Sequence, residues 1–200
     1  VRSRRQRQMC IRDSYMTDVI IVHSKYGDST NHWYEWLSNN LQLEGYHVTL
    51  FNLPVEDNDA IAHWVEEMIE QIHIRKYETY FVTHGFGTIA SLKYLEQSDV
   101  EHIEGFFSIS GFKEDAKDID ENINLDGISI DYEAVKKKVD RFYGLCSKDD
   151  HHVSYKETER LMKALDGRCK VTERGGHFLE DNGFTTFTKL QNRMQGIMSD

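Results

Sequence analysis

Short apolar segments alternate with longer amphipathic segments along the sequence, and this alternation restricts the possible folds more than any other feature. The strand-like segments are five to seven residues long: Val19–His23, His47–Leu53, Thr79–Thr83, Gly105–Ser110, Arg141–Ser147 and Cys169–Glu173. The helix-like segments repeat apolar residues every three or four positions: Asn31–Leu43, Ile61–Ile72, Thr88–Glu96, Tyr155–Leu165 and Asn182–Met194. This order predicts a mostly parallel central sheet with helices on both faces, a three-layer α/β/α sandwich.

The length and punctuation of the chain predict one domain, over residues 16–200. A chain of this length can bury a full core, and it contains a single proline, Pro54, and no internal repeat. Residues 1–15 differ, because they carry five arginines and one aspartate without apolar periodicity. They are predicted to be a non-native or disordered arm, since an apolar segment that would make them a secretory signal is missing.

The charge and the cysteines restrict the possible partners. The net charge is −10, and it becomes −14 without the five arginines and one aspartate of the arm. So acidic a surface repels nucleic acid and anionic membranes, and no apolar run approaches the ~20 residues that span a bilayer. Cys10, Cys146 and Cys169 form no CxxC pattern, so neither a disulfide framework nor a zinc site is expected. A reducing, cytoplasmic location is the simplest expectation.

Unusual residues follow four of the predicted strands. Right-handed crossovers place the carboxyl ends of parallel strands at one edge of the sheet, where open α/β sheets bind ligands. The loops at this edge are His23-Ser24-Lys25-Tyr26-Gly27, Thr83-His84-Gly85-Phe86-Gly87, Ser147-Lys148-Asp149-Asp150-His151-His152-Val153 and Gly175-Gly176-His177-Phe178. The sequence therefore predicts a functional site at this edge.

These loops make the chain resemble the YdeN-like serine hydrolases, a family of lidless α/β-hydrolases that includes retinoblastoma-binding protein 9. The resemblance extends over about residues 16–194, and its most specific segments are Asn31-His32-Trp33, Ser147-Lys148-Asp149-Asp150 and Gly175-Gly176-His177-Phe178-Leu179-Glu180-Asp181. It implies the α/β-hydrolase fold without a separate lid. It also implies hydrolysis of a carboxylic ester or related acyl compound by a Ser-His-Asp triad, without a cofactor.

The resemblance implies that Asp150 is the acid of the triad and His177 its base. Asp150 lies three residues before Val153, as in the acid loop of the family, whereas Asp149 lies one place early and stays an alternative. Either aspartate could instead cap the helix that begins near Ser154. In a triad, the acid on one imidazole nitrogen fixes the tautomer, and the other nitrogen takes the proton of the nucleophile.

The nucleophile position departs from the family pattern. The nucleophile elbow of the family reads small-His-Ser-x-Gly, but here it reads Thr83-His84-Gly85-Phe86-Gly87, so Gly85 stands where serine is expected. Glycine adopts the sharp turn without strain, but it has no hydroxyl that could attack an acyl carbon. The chain is therefore predicted to be inactive or severely impaired. A natural pseudoenzyme, a deliberate substitution and a sequence error are all compatible with this glycine.

The resemblance also suggests how the substrate would be held. The backbone N–H groups of Ser24 and Phe86 are predicted to form the oxyanion hole, and the Ser24 hydroxyl is a minor candidate for a substitute nucleophile. The residues predicted to line the pocket are His23, Trp33, His84, Gly111 and Phe112. The expected ligand is a small acyl compound, and the sequence indicates no particular protein partner.

Three other interpretations compete with a hydrolase. The scaffold could bind an acyl or peptide ligand without catalysis. Gly85-Phe86-Gly87-Thr88-Ile89-Ala90 fits the dinucleotide fingerprint G-x-G-x-x-A, although it follows the third strand and leaves Asp150 and His177 unexplained. A metal site is the weakest alternative, because no three of the histidines share a ligand motif. The histidines considered for it are His23, His84, His151, His152 and His177.

Overall fold

A computed structural model describes residues 17–54, 60–74, 78–120 and 124–199. Its central sheet has six strands in the spatial order β2-β1-β3-β4-β5-β6, and every pairing is parallel. The strands are β1 (Thr17–Val22), β2 (His47–Leu50), β3 (Glu78–His84), β4 (Gly105–Ile109), β5 (Phe142–Ser147) and β6 (Arg168–Thr172). The predicted parallel sheet is confirmed. The arm predicted at residues 1–15 lies outside the described residues.

Helices cover both faces of the sheet. They are α1 (Tyr34–Leu43), α2 (Ala60–Gln71), α3 (Phe86–Gln97), α4 (Tyr132–Lys136), α5 (Tyr155–Ala164) and α6 (Thr188–Met198). Side chains of β1 alternate between the faces: Val19 and Ile21 join one buried cluster, and Ile20 and Val22 join the other. The first cluster contains residues of α1 and α6, and the second contains residues of α2, α3 and α5. This arrangement confirms the three-layer sandwich.

Several elements differ from the sequence prediction. β2 ends at Leu50 rather than Leu53, because the Leu53 N–H donates to Nε2 of His23 (2.9 Å) and leaves the backbone ladder. The short helix α4 was not predicted; the Asp131 side chain caps it by accepting from the Ala134 N–H (3.0 Å). The last helix was predicted to begin near Asn182 but begins at Thr188.

The parallel sheet brings the four predicted loops to one edge, because they follow the carboxyl ends of β1, β3, β5 and β6. Gly87, in the first turn of α3, allows this helix to lie directly against the end of β1. A Cβ atom at Gly87 would come within 2.4 Å of the His23 carbonyl oxygen. No helix within the described ranges is long and apolar enough to cross a bilayer.

Candidate active site

Gly85 occupies a sharp turn between β3 and α3. Its φ and ψ are 49° and −117°, a conformation that side-chain-bearing residues rarely adopt. Main-chain hydrogen bonds hold the turn: the Gly85 N–H donates to the Ile109 carbonyl (2.8 Å), and the Thr88 N–H donates to the Gly85 carbonyl (3.0 Å). A Cβ atom at position 85 would lie 2.9 Å from Nε2 of His177. The turn therefore directs position 85 at the imidazole.

His177 and Asp150 form a buried pair. Nδ1 of His177 donates to Oδ2 of Asp150 over 2.8 Å, and both side chains are fully shielded from solvent. The carboxylate can only accept, so the proton is on Nδ1 and the lone pair is on Nε2. Nε2 of His177 is buried and has no hydrogen-bond partner in the described part of the chain. The unpartnered nitrogen is the one that faces position 85.

The carboxylate of Asp150 receives three further hydrogen bonds. Oδ1 accepts from the backbone N–H groups of His152 (2.9 Å) and Val153 (3.0 Å), and Oδ2 also accepts from the Ser110 hydroxyl (2.9 Å). Burial by itself raises the pKa of Asp150, but the hydrogen bonds and the charge of His177 outweigh it, so the pKa lies below its ordinary value. Asp150 is therefore ionised at neutral pH.

Asp149 contacts the backbone of the histidine loop instead of the imidazole. Its Oδ1 accepts from the N–H groups of Gly175 (2.9 Å) and Gly176 (2.8 Å), and from the Ser147 hydroxyl. Neither aspartate is the N-cap of α5, since that position is held by Ser154. Asp149 thus fixes the loop that carries His177, whereas Asp150 contacts the ring.

A buried chain of hydrogen bonds joins the loops after β1, β3 and β6. Nε2 of His84 donates to the His177 carbonyl (2.7 Å), and Nδ1 of His84 accepts from the Tyr34 hydroxyl (2.7 Å). The Tyr34 oxygen in turn accepts from the Ser24 N–H (3.0 Å). The direction of the chain follows because a carbonyl can only accept. Burial, together with nearby His177, holds the pKa of His84 well below its ordinary value, so the ring stays neutral.

This chain corrects the predicted oxyanion hole. The Ser24 N–H is taken by the Tyr34 hydroxyl, which reaches it from the first turn of α1, so it cannot stabilise an oxyanion. The Ser24 hydroxyl accepts from the Tyr26 N–H (3.2 Å) and makes no hydrogen bond to His177. The next N–H group, that of Lys25, has no acceptor within the described ranges. The Phe86 N–H belongs to the first turn of α3, where helical N–H groups lack intrahelical acceptors.

The five residues predicted to line the pocket are buried in the described structure. His23, Trp33, His84 and Phe112 have no exposed surface, and a Cβ atom at Gly111 would come within 2.0 Å of the Ser108 hydroxyl. Nδ1 of His23 donates to the Ser24 carbonyl (2.7 Å), and its Nε2 accepts from the Leu53 N–H (2.9 Å), beyond the end of β2. These side chains support the loops from beneath.

The Asn31-His32-Trp33 segment attaches the start of α1 to the histidine loop. Nε1 of Trp33 donates to the Phe178 carbonyl (3.1 Å). The His32 ring accepts from the Glu180 N–H (3.0 Å) at Nδ1 and donates to the Tyr26 carbonyl (3.2 Å) at Nε2. These contacts give a structural reason for a segment that the sequence identified only by its resemblance.

Three aromatic rings pack around His177, which is only 1% exposed, and the nearest, that of His84, is stacked on the imidazole at a centroid distance of 4.9 Å. The Tyr26 ring meets the imidazole edge-on at a centroid distance of 5.1 Å, and the His152 ring lies at 5.4 Å.

Sequence reasoning missed Tyr26 and Tyr34, whose importance depends on contacts between distant loops. Ser110 was visible only as a serine at the end of a strand. Among the described residues, no three His, Cys, Asp or Glu side chains are grouped so that they could hold a metal ion.

Known proteins share this architecture. The sequence model of the serine hydrolase family matches residues 19–196. The Bacillus subtilis protein YdeN is 28% identical over 169 residues, which cover 84% of this chain and 89% of YdeN. The YdeN crystal structure superposes with a TM-score of 0.78 at 27% identity, covering 92% of this chain and 100% of YdeN.

A more distant structure has the same fold. A serine hydrolase without a lid from Xanthomonas campestris gives a TM-score of 0.57 at 12% identity, covering 92% of this chain and 82% of the other. That identity supports the fold alone, whereas the family match extends over most of the chain. The chain belongs to the serine hydrolase family and has the α/β-hydrolase fold.

Proposed function

We propose that this chain is a YdeN-like acyl hydrolase whose acid and base are in place and whose activity is lost or severely impaired at Gly85. One observation carries the proposal: Nε2 of His177 lies 2.9 Å from where a Cβ atom at position 85 would be, while its Nδ1 is bonded to Asp150. Such a pair is the proton-handling half of a catalytic triad. Glycine supplies no nucleophile to the other half.

With serine at position 85, the proposed reaction is hydrolysis of a small carboxylic ester. The serine oxygen attacks the acyl carbon while Nε2 of His177 takes its proton, and the charge of Asp150 stabilises the imidazolium. The same nitrogen then protonates the leaving alcohol, and water releases the acid from the acyl-enzyme. The N–H groups of Lys25 and Phe86 are the proposed oxyanion donors, since Ser24 is engaged with Tyr34.

The test compares the chain with its Gly85→Ser variant on p-nitrophenyl acetate and a fluorophosphonate probe. The serine variant should be labelled and should hydrolyse the ester on the order of 10³-fold faster or more, because the missing nucleophile is restored. His177 must retreat by a few tenths of an ångström to admit the new Cβ atom. Gly85→Ala is the matched control, since it adds the Cβ atom without the hydroxyl. Equal turnover in all three proteins would refute the proposal.

The same experiment separates the alternatives. Binding of an acyl compound by the unchanged chain, with no gain of turnover in Gly85→Ser, would favour a non-catalytic binding module. The geometry argues against dinucleotide binding, because protein atoms fill the space beside both glycines of the fingerprint. His177 faces Gly85, and the His23 carbonyl faces Gly87, so a pyrophosphate has no close approach to either.

A further inference from the structure

Ser110 has a backbone conformation that serine rarely adopts. It is the first residue after β4, it is fully buried, and its φ is +46°. Glycine adopts this left-handed region freely, whereas a Cβ atom makes it unfavourable. The Ser110 N–H donates to the Leu145 carbonyl (2.8 Å), so the neighbouring strand β5 holds the residue in this conformation. A strained residue beside a functional pair suggests that its side chain has a task there.

The Ser110 hydroxyl contacts the oxygen that also binds the base. It donates to Oδ2 of Asp150 over 2.9 Å, and the same oxygen accepts from Nδ1 of His177 over 2.8 Å. The two backbone donors from the following turn bind the other oxygen, Oδ1. The terminal torsion of an aspartate is broad and has little preference of its own. Ser110 therefore supplies the second contact that fixes the position of Oδ2.

We propose that Ser110 is a positioning residue, whose hydroxyl holds the carboxylate of Asp150 in the orientation that receives the Nδ1–H of His177. The proposal deepens the proposed function, because it concerns the same acid and base. It also explains the strained backbone: the positive φ directs the hydroxyl from the end of β4 towards the carboxylate that follows β5.

The first test uses the chain as it is and needs no turnover. Proton NMR of the chain should show the Nδ1–H of His177 as a downfield resonance, protected from exchange by its buried hydrogen bond. Ser110→Ala and Ser110→Gly both remove the hydroxyl, and both should broaden or abolish this resonance. Ser110→Gly also relieves the backbone strain, so it tests the hydroxyl in a variant that should fold. The matched control is Ser108→Ala, because the buried Ser108 hydroxyl contacts Thr88 (3.1 Å) instead of Asp150.

The second test adds Ser110→Ala to the Gly85→Ser variant. Hydrolysis of p-nitrophenyl acetate should lose about 10- to 100-fold in kcat with little change in KM, as expected when a partner that orients a functional group is removed. Ser108→Ala in the same background should change kcat by less than about threefold. An unchanged Nδ1–H resonance in both Ser110 variants would overturn the inference. A resonance that depends on Ser110 in a chain that Gly85→Ser fails to activate would support Ser110 while refuting the proposed function.

Discussion

Asp149 and Asp150 are neighbours, yet they hold the same loop in two different ways. Asp150 binds the ring of His177. Asp149 binds the backbone N–H groups of Gly175 and Gly176, the two residues that precede His177. The sequence alone left both as candidates for the acid, because their side chains are identical and only a spacing argument separated them. The contact with the imidazole is what distinguishes them physically.

Replacing each aspartate by asparagine in the Gly85→Ser variant should separate their tasks. Asp150→Asn removes the charge that stabilises the imidazolium and favours the wrong tautomer, so kcat should fall by about 10³–10⁴-fold. Asp149→Asn keeps a carbonyl oxygen that can accept from the glycine N–H groups, so its loss should stay below about tenfold. Ester hydrolysis measures both. A larger loss in Asp149→Asn would transfer the role of acid to Asp149.

At the scale of elements, the start of α1 connects three loops of the site. Tyr34 is the first residue of this helix, and its hydroxyl lies between the Ser24 N–H and Nδ1 of His84. All three groups are buried, so each depends on the others for its hydrogen bonds.

Tyr34→Phe should destabilise the fold by about 1–3 kcal/mol, because it leaves a buried donor and a buried acceptor without partners. Urea unfolding of the unchanged chain and the variant measures the difference. Tyr143→Phe is the matched control, since Tyr143 is also largely buried but its hydroxyl has no hydrogen-bond partner in the described segments. Equal stability of the two variants would show that the chain of hydrogen bonds contributes little.

Hydrophobic periodicity predicted the bounds of helices that pack as regular units. It failed where contacts between residues distant in sequence determine where a helix begins. The apolar residues predicted from Ile61 to Ile72 coincide with α2, which lies at Ala60–Gln71. The last helix was placed too early, because Phe178, Phe184 and Phe187 pack against one another with ring centroids 4.8–5.1 Å apart, a contact that local periodicity does not reveal. Gly183, with φ of +88°, ends a short 3₁₀ turn just before Phe184.

The predictions for the site also succeeded where a local pattern was enough and failed where distant contacts mattered. Asp150 and His177, the positions predicted for the acid and the base, are in contact. Each lies in a local motif, so the sequence alone could identify them. The Ser24 N–H was assigned wrongly, since the hydroxyl that captures it comes from another element, ten residues further along the chain. The link from His84 to the His177 carbonyl joins residues 93 apart, and no local pattern encodes it.

At the scale of the whole molecule, the sheet edge buries histidines in the neutral state. Burial lowers the pKa of His23 and of His84 from the ordinary value of 6.5. Near that pH the unfolded chain therefore binds more protons at these two histidines than the folded chain does. A group with this behaviour stabilises the fold above its unfolded pKa and loses that contribution as the pH falls.

We expect the free energy of unfolding to decrease as the pH falls from about 7.5 to 5.5, by up to about 1.4 kcal/mol per pH unit for each of these two histidines. The lowered pKa of Asp150 adds a separate loss at more acidic pH, below its unfolded value of 3.8. Urea unfolding at a series of pH values measures both ranges. A stability independent of pH between about 7.5 and 5.5 would contradict the expectation.

Main-chain hydrogen bonds hold the elbow at Gly85. The hydrogen bonds that hold its turn run from the Gly85 N–H to Ile109 and from Thr88 to the Gly85 carbonyl, and neither involves a side chain. A different side chain at position 85 therefore leaves both of these hydrogen bonds available. The shape of the turn is thus set by main-chain atoms, separately from the chemical group that residue 85 presents to His177.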